Sequence, residues 1–447
     1  MFLNHSKTFK GGIHPSEQKE LTENCVFEIM PNSKQVIIPI SQHAGKPAKP
    51  LVKKGSEVKA GEVIAEQDGF ISSPIHSPVS GKVTKVTTSV TANGFLNESI
   101  IIESSEVNEY VKMPGLNLEN VTPDEVRERI KQAGIVGLGG AAFPTYVKLS
   151  PPADKKIDYV ILNGCECEPY LTRDYRFMLE RTEDLISGLL LIMKTVGAGK
   201  GVIGIEDNKP VAIEKLKQAV KEYSNISVEV LETKYPQGAE KMLIKAVTGK
   251  EVPPGKLPFD VGCIIQNIGT AIAIYDAVVN GTPEITAALT VSGNGIKNPK
   301  NLIVPIGTPL SDVLDFCGGV TEDAVKVVVG GPMMGVAQYD FSAPVMKATS
   351  GILVLTEEEV NSKPETNCLR CGKCVDVCPL NLLPTRLARL SQLDKLEEAE
   401  ELGITVCMEC GTCTYTCPAN IPLVQWIRLG KQRVLKLQRE RQTVEKE

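Results

Sequence analysis

The sequence predicts a multidomain protein that combines α/β and α+β domains, and three observations support this fold class. The chain has 447 residues, which is enough for about three or four domains of ordinary size. Its first part has short strand-like runs punctuated by glycine, and its middle alternates apolar strands with helices. Cysteines concentrate near its end. We therefore expect four structural units in sequence order, followed by a C-terminal helix.

Residues 1–115 are predicted to contain a small β sandwich. The stretches 51–65 and 77–86 consist of short runs broken by glycine, at a spacing typical of hairpins. The pattern resembles the lipoyl/biotinyl carrier fold. A carrier needs a lysine at the tip of its hairpin, and residues 66–74 contain none. We therefore expect a structural module without a prosthetic group.

Residues 116–284 are predicted to form an α/β domain with a largely parallel sheet. Its first helix begins at a capping box in which Thr122 is the N-cap and Glu125 lies three residues later. Apolar strands at 159–162 and 201–205 then alternate with helical segments. This alternation is typical of parallel sheets.

Residues 285–350 are predicted to form a further small unit of the β-grasp type. Strand-like runs at 288–291 and 326–329 lie on either side of a short helix at 309–317. A polar segment, 355–364, is predicted to link this unit to the cysteine-rich region.

Eight of the 13 cysteines form two copies of one pattern, Cys-x2-Cys-x2-Cys-x3-Cys-Pro. In this pattern three cysteines surround one 4Fe–4S cluster, and the fourth turns away to the other cluster. Structural zinc is the alternative, but zinc motifs usually pair two CxxC units across a longer loop. We therefore predict a two-cluster ferredoxin-like domain over residues 360–425. One cluster would be held by Cys368, Cys371, Cys374 and Cys417, and the other by Cys407, Cys410, Cys413 and Cys378.

Charge and hydropathy exclude several classes of function. The formal net charge of −5 argues against nucleic acid as the main partner. The longest apolar stretch, 185–193, is far below the about 20 residues that span a bilayer. No secretory signal is recognisable, so we expect a reducing, cytoplasmic compartment and no transmembrane segment. The basic helix predicted over 426–447 would either dock on a partner or lipid, or pack as a solvated helix on the ferredoxin domain.

A glycine-rich loop and an acidic segment form a second set of candidate binding residues. Glycines within 137–140 let backbone N–H groups approach a phosphate, and Lys148 adds a positive charge. Asn163, Glu166 and Glu168 follow a strand, and ligands of open α/β sheets bind at the carboxyl ends of strands. The two glutamates would lie on the same side if the strand continued. A plain turn and a pair of solvated carboxylates are the alternatives.

The five cysteines outside the clusters carry weaker signals. Cys165 and Cys167 form a CxC pair, for which a redox or ligand role is one alternative. Cys25, Cys263 and Cys317 are expected to be small buried hydrophobic residues.

These motifs together resemble a known family over nearly the whole chain. Residues 137–148 resemble the flavin loop of the FMN subunit of respiratory complex I, and residues 163–169 resemble its acidic flavin/NADH segment. Residues 235–240 and 264–270 match two further flavin-contacting stretches. With residues 12–15 and the order of the modules, the chain is most similar to the C subunit of the Rnf electron-transport complex.

The resemblance implies a peripheral subunit at the cytoplasmic face of the cell membrane. It would bind FMN, exchange a hydride with NAD(H), and pass single electrons to or from two 4Fe–4S clusters. Its partners would be the other subunits of an ion-pumping membrane complex, and ferredoxin or another iron–sulfur protein. The residues implied to hold the flavin are Gly137, Gly139, Gly140, Lys148, Asn163, Gln266 and Asn267. Those implied to face the nicotinamide nucleotide are Phe143, Glu168 and Glu240, with Glu166 and Glu206 as further cofactor-binding candidates.

Two other functions stay open at this point. A corrin reductase of the propanediol-utilisation type shares the flavin-like domain and both cluster motifs, although its carrier-like module is not N-terminal. A non-catalytic adaptor with an empty glycine loop would only carry electrons between partners. The chain also departs from the complex I pattern at Leu138, Ala239 and Cys165, where that family has an arginine and two acidic residues.

Overall fold

The computed structural model describes residues 7–444, and its N-terminal region contains two small β-sheets that share one apolar core. The strands of this region are β1 (Phe27–Ile29), β2 (Gln35–Pro39), β3 (Lys49–Pro50), β4 (Glu57–Val58), β5 (Val63–Glu66), β6 (Ile75–His76), β7 (Gly81–Val90) and β8 (Leu96–Ser104). One sheet has the order β2–β8–β7–β4, and the other has the order β3–β5–β6. Val36, Ile64 and Ile100 are among the buried side chains between them. The predicted sandwich of short strands is confirmed.

The second domain is a parallel sheet with helices on both faces. Its elements are α1 (Pro123–Gln132), α2 (Thr145–Lys148), β9 (Tyr159–Gly164), α3 (Arg173–Glu180), α4 (Thr182–Val196), β10 (Lys200–Glu206), α5 (Pro210–Ala219), β11 (Ile226–Leu231), α6 (Glu240–Thr248), β12 (Cys263–Asn267) and α7 (Ile268–Val279). The strand order is β11–β10–β9–β12, with every pair parallel. Leu162 faces the core under α1, α4 and α7, whereas Ile161 faces the core under α6. The capping box forms as predicted, because Thr122 and Glu125 each accept the other's backbone N–H.

The third unit is a six-stranded mixed sheet that extends beyond the predicted range of 285–350. Its elements are β13 (Thr286–Ser292), β14 (Lys300–Pro305), α8 (Leu310–Phe316), β15 (Ala324–Val329), β16 (Val336–Gln338) and β17 (Gly351–Thr356). The order is β1–β14–β13–β17–β15–β16, so β1 from the N-terminal region joins this sheet. The expectation that a linker begins at Leu355 is wrong, because β17 is buried along its whole length. Its short apolar run is typical of a strand covered on both faces.

The C-terminal region is helical around the cysteine loops. Its helices are α9 (Lys373–Asp376), α10 (Pro384–Gln392), α11 (Leu396–Glu401), α12 (Thr412–Tyr415) and α13 (Leu423–Val444). Residues 383–402, between the two cysteine repeats, form two helices, because the chain turns at Asp394, which has a φ of 54°. Ile427 and Val434 of α13 are buried in the ferredoxin core, so this helix packs on the domain as one expectation had it. No helix within residues 7–444 is both long and apolar enough to cross a membrane.

Candidate functional site

The parallel sheet places two of the predicted asparagines side by side at its carboxyl edge. Asn163 in β9 is paired in register with Asn267, the last residue of β12. The strand order reverses between these two strands, because β10 and β11 lie on the other side of β9. Ligands of open α/β sheets bind in the crevice at such a switch point. We refer to this place as the flavin crevice, after the cofactor that the sequence resemblance predicts here.

The glycine loop lies over the same edge and presents open backbone. The Leu138 N–H donates to the Thr270 hydroxyl at 2.9 Å, and a Cβ on Gly139 would lie 3.5 Å from the Cβ of Asn267. Gly139 and Gly140 are exposed, and no atom of the described residues lies within 4 Å of the place where a Cβ of Gly140 would be. Gly140 has a φ of +108°, a conformation that side chains disfavour. The loop therefore offers free N–H groups beside the crevice, as a phosphate needs.

The loop 235–240 closes another side of the crevice. The Asn163 amide donates to the Gly238 carbonyl at 2.8 Å. Lys148, at the end of α2, forms an ion pair of 2.6 Å with Glu240, the first residue of α6. Both charged groups are partly exposed. The structure thus brings the glycine loop, both asparagines and the Lys148–Glu240 pair to one place.

Two buried side-chain amides at this site have polar atoms without a hydrogen-bond partner among the described residues. They are Gln266, whose Nε2 is unpaired, and Gln237, whose Oε1 and Nε2 are both unpaired. A buried amide without a partner costs about 1–3 kcal/mol. A polar cofactor with several hydrogen-bonding groups would satisfy them, so the donor set and the open glycine backbone fit a flavin nucleotide.

The predicted arrangement of Glu166 and Glu168 is wrong, because β9 ends at Gly164 and Glu166 turns with a φ of 47°. The Glu166 carboxylate accepts the N–H groups of Asp174 (2.6 Å) and Tyr175 (3.1 Å) at the start of α3. The Glu168 carboxylate accepts two backbone N–H groups from the turn between β15 and β16, each at 3.0 Å. Burial raises the pKa of Glu166, and it raises the pKa of Glu168 to about 7. Cofactor binding by these two residues stays a prediction.

Glu206 lies one strand away from the flavin crevice, at the end of β10. It is 1% exposed and accepts from the Lys209 ammonium at 3.2 Å, and burial raises its pKa. Lys209 also donates to the Cys165 carbonyl at 2.7 Å. Cofactor binding by Glu206 stays a prediction as well.

Thiols of the two cysteine repeats lie near one another, as the predicted crossed arrangement requires, and cluster binding by these residues stays a prediction. Burial, together with the nearby thiols of Cys410, Cys407 and Cys378, raises the pKa of the Cys413 thiol to about 12. Burial also raises the pKa of the Cys374 thiol, and the nearby Cys417 thiol contributes to this rise. We call the set Cys378, Cys407, Cys410 and Cys413 the proximal cluster site, and the set Cys368, Cys371, Cys374 and Cys417 the distal cluster site.

The two cysteine repeats have the same backbone geometry. Left-handed residues recur in equivalent positions, namely Arg370 and Glu409, Gly372 and Gly411, and Asn381 and Asn420. In each repeat a backbone N–H points at the first sulfur, at 3.4 Å from Cys368 and from Cys407. Such bonds help to set the potential of a bound cluster. Among the described side chains no three His, Cys, Asp or Glu are placed to hold a single metal ion; a cubane keeps its thiolates farther apart than one ion does.

The two cluster sites differ in their surroundings. Cys368 and Cys371 of the distal site are exposed. Cys410 of the proximal site is buried, and its carbonyl accepts the Tyr235 hydroxyl at 2.7 Å. A Cβ on Gly411 would lie 2.9 Å from the carbonyl oxygen of Met333. The proximal site therefore lies against the α/β domain and the third unit.

Comparisons with known proteins agree with this division of the chain. Four family models match: the RnfC barrel sandwich hybrid domain over residues 7–107, the Nuo51 FMN-binding domain over 130–276, the SLBB domain over 289–337 and the 4Fe–4S dicluster domain over 360–419. The chain is 49% identical over 397 residues to the C subunit of the proton-translocating ferredoxin:NAD(+) oxidoreductase complex of Clostridium ljungdahlii, a match that covers 88% of this chain and 87% of the relative. The chain belongs to the RnfC family.

Other relatives extend the comparison. The C subunit of the Na(+)-translocating ferredoxin:NAD(+) oxidoreductase complex of Acetobacterium woodii is 48% identical, over 88% of this chain and 89% of its own length. The C subunit of the ion-translocating oxidoreductase complex of Rhodobacter capsulatus is 42% identical, over 95% of this chain and 83% of its own. A crystal structure of an NAD+-reducing [NiFe]-hydrogenase in the air-oxidized state shares the fold with a TM-score of 0.50 and 18% identity, over 72% of this chain and 66% of that one.

The family assignment confirms the predicted fold class and cofactor classes. This member of the RnfC family carries an FMN-binding domain and a dicluster 4Fe–4S domain. Cys263 and Cys317 are buried as expected, but Cys25 is only partly buried.

Sequence reasoning did not single out three residues that complete the site. Gln237 and Tyr235 lie within the stretch 235–240, whose resemblance to a flavin-contacting segment was the signal that pointed to them. Asp174 accepts the Asn267 amide at 2.6 Å and carried no recognisable signal of its own.

Proposed function

We propose that this chain is the part of a membrane-bound, ion-translocating Rnf-type oxidoreductase through which the complex exchanges electrons with NAD(H). In this proposal electrons pass between NAD(H), FMN and two 4Fe–4S clusters, and then to or from ferredoxin or an iron–sulfur subunit. The observation that carries the proposal is the contact between the two sites. Tyr235 begins the loop that closes the flavin crevice, and its hydroxyl bonds to Cys410 of the proximal cluster site.

The residues of the crevice bind and orient the flavin. When bound, FMN supplies the conversion between hydride transfer and single-electron transfer. The free N–H groups of Gly139 and Gly140 suit a phosphate, and Lys148 adds a positive charge close by. Asn163 and Asn267 fix the carboxyl edge of the sheet against which the cofactor lies.

The residues predicted to face the nicotinamide nucleotide differ in the contacts that they already make within the protein. Phe143 ends the glycine loop, where its carbonyl accepts the Gly137 N–H at 2.9 Å, and its side chain is half-buried. Glu240 is paired with Lys148, so the two charges act together on a ligand. Glu168 is already held by two backbone N–H groups, and we assign it a supporting role beside the nucleotide.

The distal cluster site is the place where electrons leave or enter the chain. Residues 361–373, which include Cys368 and Cys371, are exposed throughout. The equivalent first cysteines of the other repeat, Cys407 and Cys410, are partly or fully buried. An exposed cluster loop suits exchange with a redox partner such as ferredoxin.

Ion coupling and location are further parts of the proposal. The relatives from Clostridium ljungdahlii and Acetobacterium woodii are named as subunits of proton- and Na(+)-translocating complexes, which supports coupling to ion movement by the whole assembly. We place the chain peripherally at the cytoplasmic face of the membrane, where NAD(H) and ferredoxin are available.

The test is flavin retention and reduction in purified protein supplied with FMN. We expect FMN to stay bound after gel filtration and to bleach when NADH is added without oxygen. Lys148→Met removes the positive charge of the crevice. We expect it to weaken both the retention of FMN and the reduction of FMN by NADH. Lys300→Met is the matched control, because Lys300 is a similarly half-buried lysine paired with Glu28 in the third unit.

The outcomes separate the proposal from its alternatives. If wild-type protein loses FMN and does not react with NADH although its clusters are intact, the chain is an electron-carrying adaptor. If Lys148→Met and Lys300→Met behave alike, the charge of Lys148 has no part in flavin binding.

A further inference from the structure

We propose that the segment Gly11–Ile13 and Tyr235 form a clamp that holds the proximal cluster site against the flavin crevice, and that this clamp sets the rate of electron transfer between them. The inference rests on the proposed function and adds positioning residues to it. The cluster spacing assigns no role to these residues, and the flavin-type stretch that includes Tyr235 does not connect it to a cluster.

The segment Gly11–Ile13 lies between the two domains and bonds to both. The Gly12 N–H donates to the carbonyl of Val377, the residue before Cys378, at 2.9 Å. Ile13 and Tyr235 exchange two backbone hydrogen bonds, of 2.8 and 2.9 Å. The segment therefore ties the α/β domain to one ligand loop of the proximal cluster site.

At both glycine positions of the clamp, neighbouring backbone atoms lie too close to leave room for a side chain. Gly11 and Gly12 have φ values of +82° and +80°, which other residues adopt only with strain. A Cβ on Gly11 would lie 3.0 Å from the Cys378 carbonyl oxygen. A Cβ on Gly12 would lie 2.7 Å from the Tyr235 carbonyl oxygen, which is closer than real contacts allow. A side chain at either position would push the two domains apart.

Tyr235 completes the clamp from the other side. It is 1% exposed, and its hydroxyl donates to the Cys410 carbonyl at 2.7 Å. It packs with Ile13 and Cys410 in one apolar cluster, and Met333 and Cys167 lie against that cluster. One buried side chain thus bonds to a ligand loop of the cluster site while its backbone bonds to the N-terminal segment.

The loop that starts at Tyr235 leads directly into the flavin crevice. Three residues later, the Gly238 carbonyl accepts the Asn163 amide, and the Gly238 N–H donates to the Cys167 sulfur at 3.3 Å. The loop ends at Glu240, which pairs with Lys148. A displacement of Tyr235 therefore changes the position of the cluster relative to the crevice.

The clamp acts on the single-electron step and not on hydride transfer. With both cofactors bound, each electron lost by the flavin in the crevice would be gained by the cluster held at Cys378, Cys407, Cys410 and Cys413, and the released proton would go to water. The rate of such a transfer falls steeply as the two centres move apart. Hydride transfer from NADH takes place within the crevice, so it does not depend on the distance to the cluster.

The test compares Gly12→Ala and Tyr235→Phe with wild-type protein loaded with FMN and clusters. Gly94→Ala is the matched control, because Gly94 has a φ of +82° but no atom of the part of the chain that the structure describes lies within 4 Å of its Cβ position. Stopped-flow absorbance separates the reduction of flavin by NADH from the reduction of the clusters. In both clamp variants we expect cluster reduction, measured relative to flavin reduction in the same variant, to slow by roughly tenfold or more, as misplacement of reacting groups does.

Hydrogen exchange gives a readout that does not depend on turnover. The amides of Gly12 and Ile13 should be protected in the wild-type and Gly94→Ala proteins, and should exchange faster in Tyr235→Phe. Tyr235→Phe removes one hydroxyl only, so it remains informative if Gly12→Ala does not fold.

The outcomes are distinguishable from failure of the proposed function. If NADH does not reduce the flavin of wild-type protein, the proposed function is wrong, and hydrogen exchange alone decides whether the clamp exists. If flavin is reduced but the clusters of Tyr235→Phe and wild type are reduced at the same rate, the clamp does not control electron transfer. Unchanged exchange at Gly12 and Ile13 in Tyr235→Phe would overturn the clamp itself.

Discussion

Gly140→Ala is expected to weaken FMN binding through the backbone of the glycine loop. Gly140 has a φ of +108°, and its Cβ position is open, so the added methyl meets no atom of residues 7–444 within 4 Å. The cost is therefore conformational, and a left-handed conformation costs a residue with a Cβ about 1–2 kcal/mol. If the loop relaxes in the absence of FMN, binding has to restore the strained form. The dissociation constant should then rise by roughly five- to thirtyfold.

The assay is a fluorescence titration of FMN with the apoprotein. Gly249→Ala is the control, because Gly249 is also left-handed, with a φ of +74° and an open Cβ position, but ends α6. Gly249→Ala should leave FMN affinity unchanged. An unchanged dissociation constant in Gly140→Ala would refute the reasoning, because FMN binding would then not have to restore a strained form of the loop.

Two further predictions concern the acidic segment and the crossed clusters. Glu168 has an ordinary pKa of 4.5, which burial raises to about 7, so the unfolded chain loses this proton before the folded one does. The stability that wild-type protein gains from Glu168 is complete below pH 4.5 and is lost as the pH rises to 7. Between pH 4.5 and 7 the urea midpoint of the wild-type protein should fall relative to that of Glu168→Gln. If the two midpoints change in parallel with pH, the raised pKa of Glu168 is contradicted. Separately, Cys378→Ser should abolish the same EPR signal as Cys413→Ser, and Cys417→Ser the same signal as Cys374→Ser. Loss of one signal in both Cys378→Ser and Cys374→Ser would show that each repeat holds its own cluster.

The features that the sequence predicts well are those set by local spacing. A cysteine repeat, a capping box and a glycine loop each depend on residues within one or two turns of chain, so their geometry follows from the residue order. The crossing of Cys378 to the other repeat could be predicted for the same reason, since three closely spaced cysteines cannot enclose a cubane.

Contacts between distant segments could not be predicted. Tyr235 and Cys410 are 175 residues apart, and nothing near either residue signals their hydrogen bond. The same holds for β1, a short strand whose partner β14 lies in another predicted domain. The predicted start of the linker at Leu355 is wrong because three glutamates follow β17 directly. Their polarity made the last residues of this buried strand look like part of the linker.

The prediction for Glu166 and Glu168 failed for a local reason. Alternation along a continued strand would place both carboxylates on one face. Instead the Asn163 side chain accepts the Cys165 N–H at 3.3 Å, a side-chain bond to the backbone two residues on that favours a turn. The Glu166 carboxylate therefore contacts the start of α3, whereas the Glu168 carboxylate contacts the turn between β15 and β16. A turn signal at Asn163-Gly164 was present in the sequence and outweighs the strand pattern.

The most direct test of the account is an anaerobic NADH titration of two samples that differ only in FMN. Both samples carry reconstituted clusters, and EPR follows the reduced clusters. The account predicts that NADH produces cluster signals in the FMN-loaded protein and none in the FMN-free protein, because the crevice residues deliver electrons to the clusters only through the flavin. Equal cluster signals in both samples, or no signal in either, would contradict it.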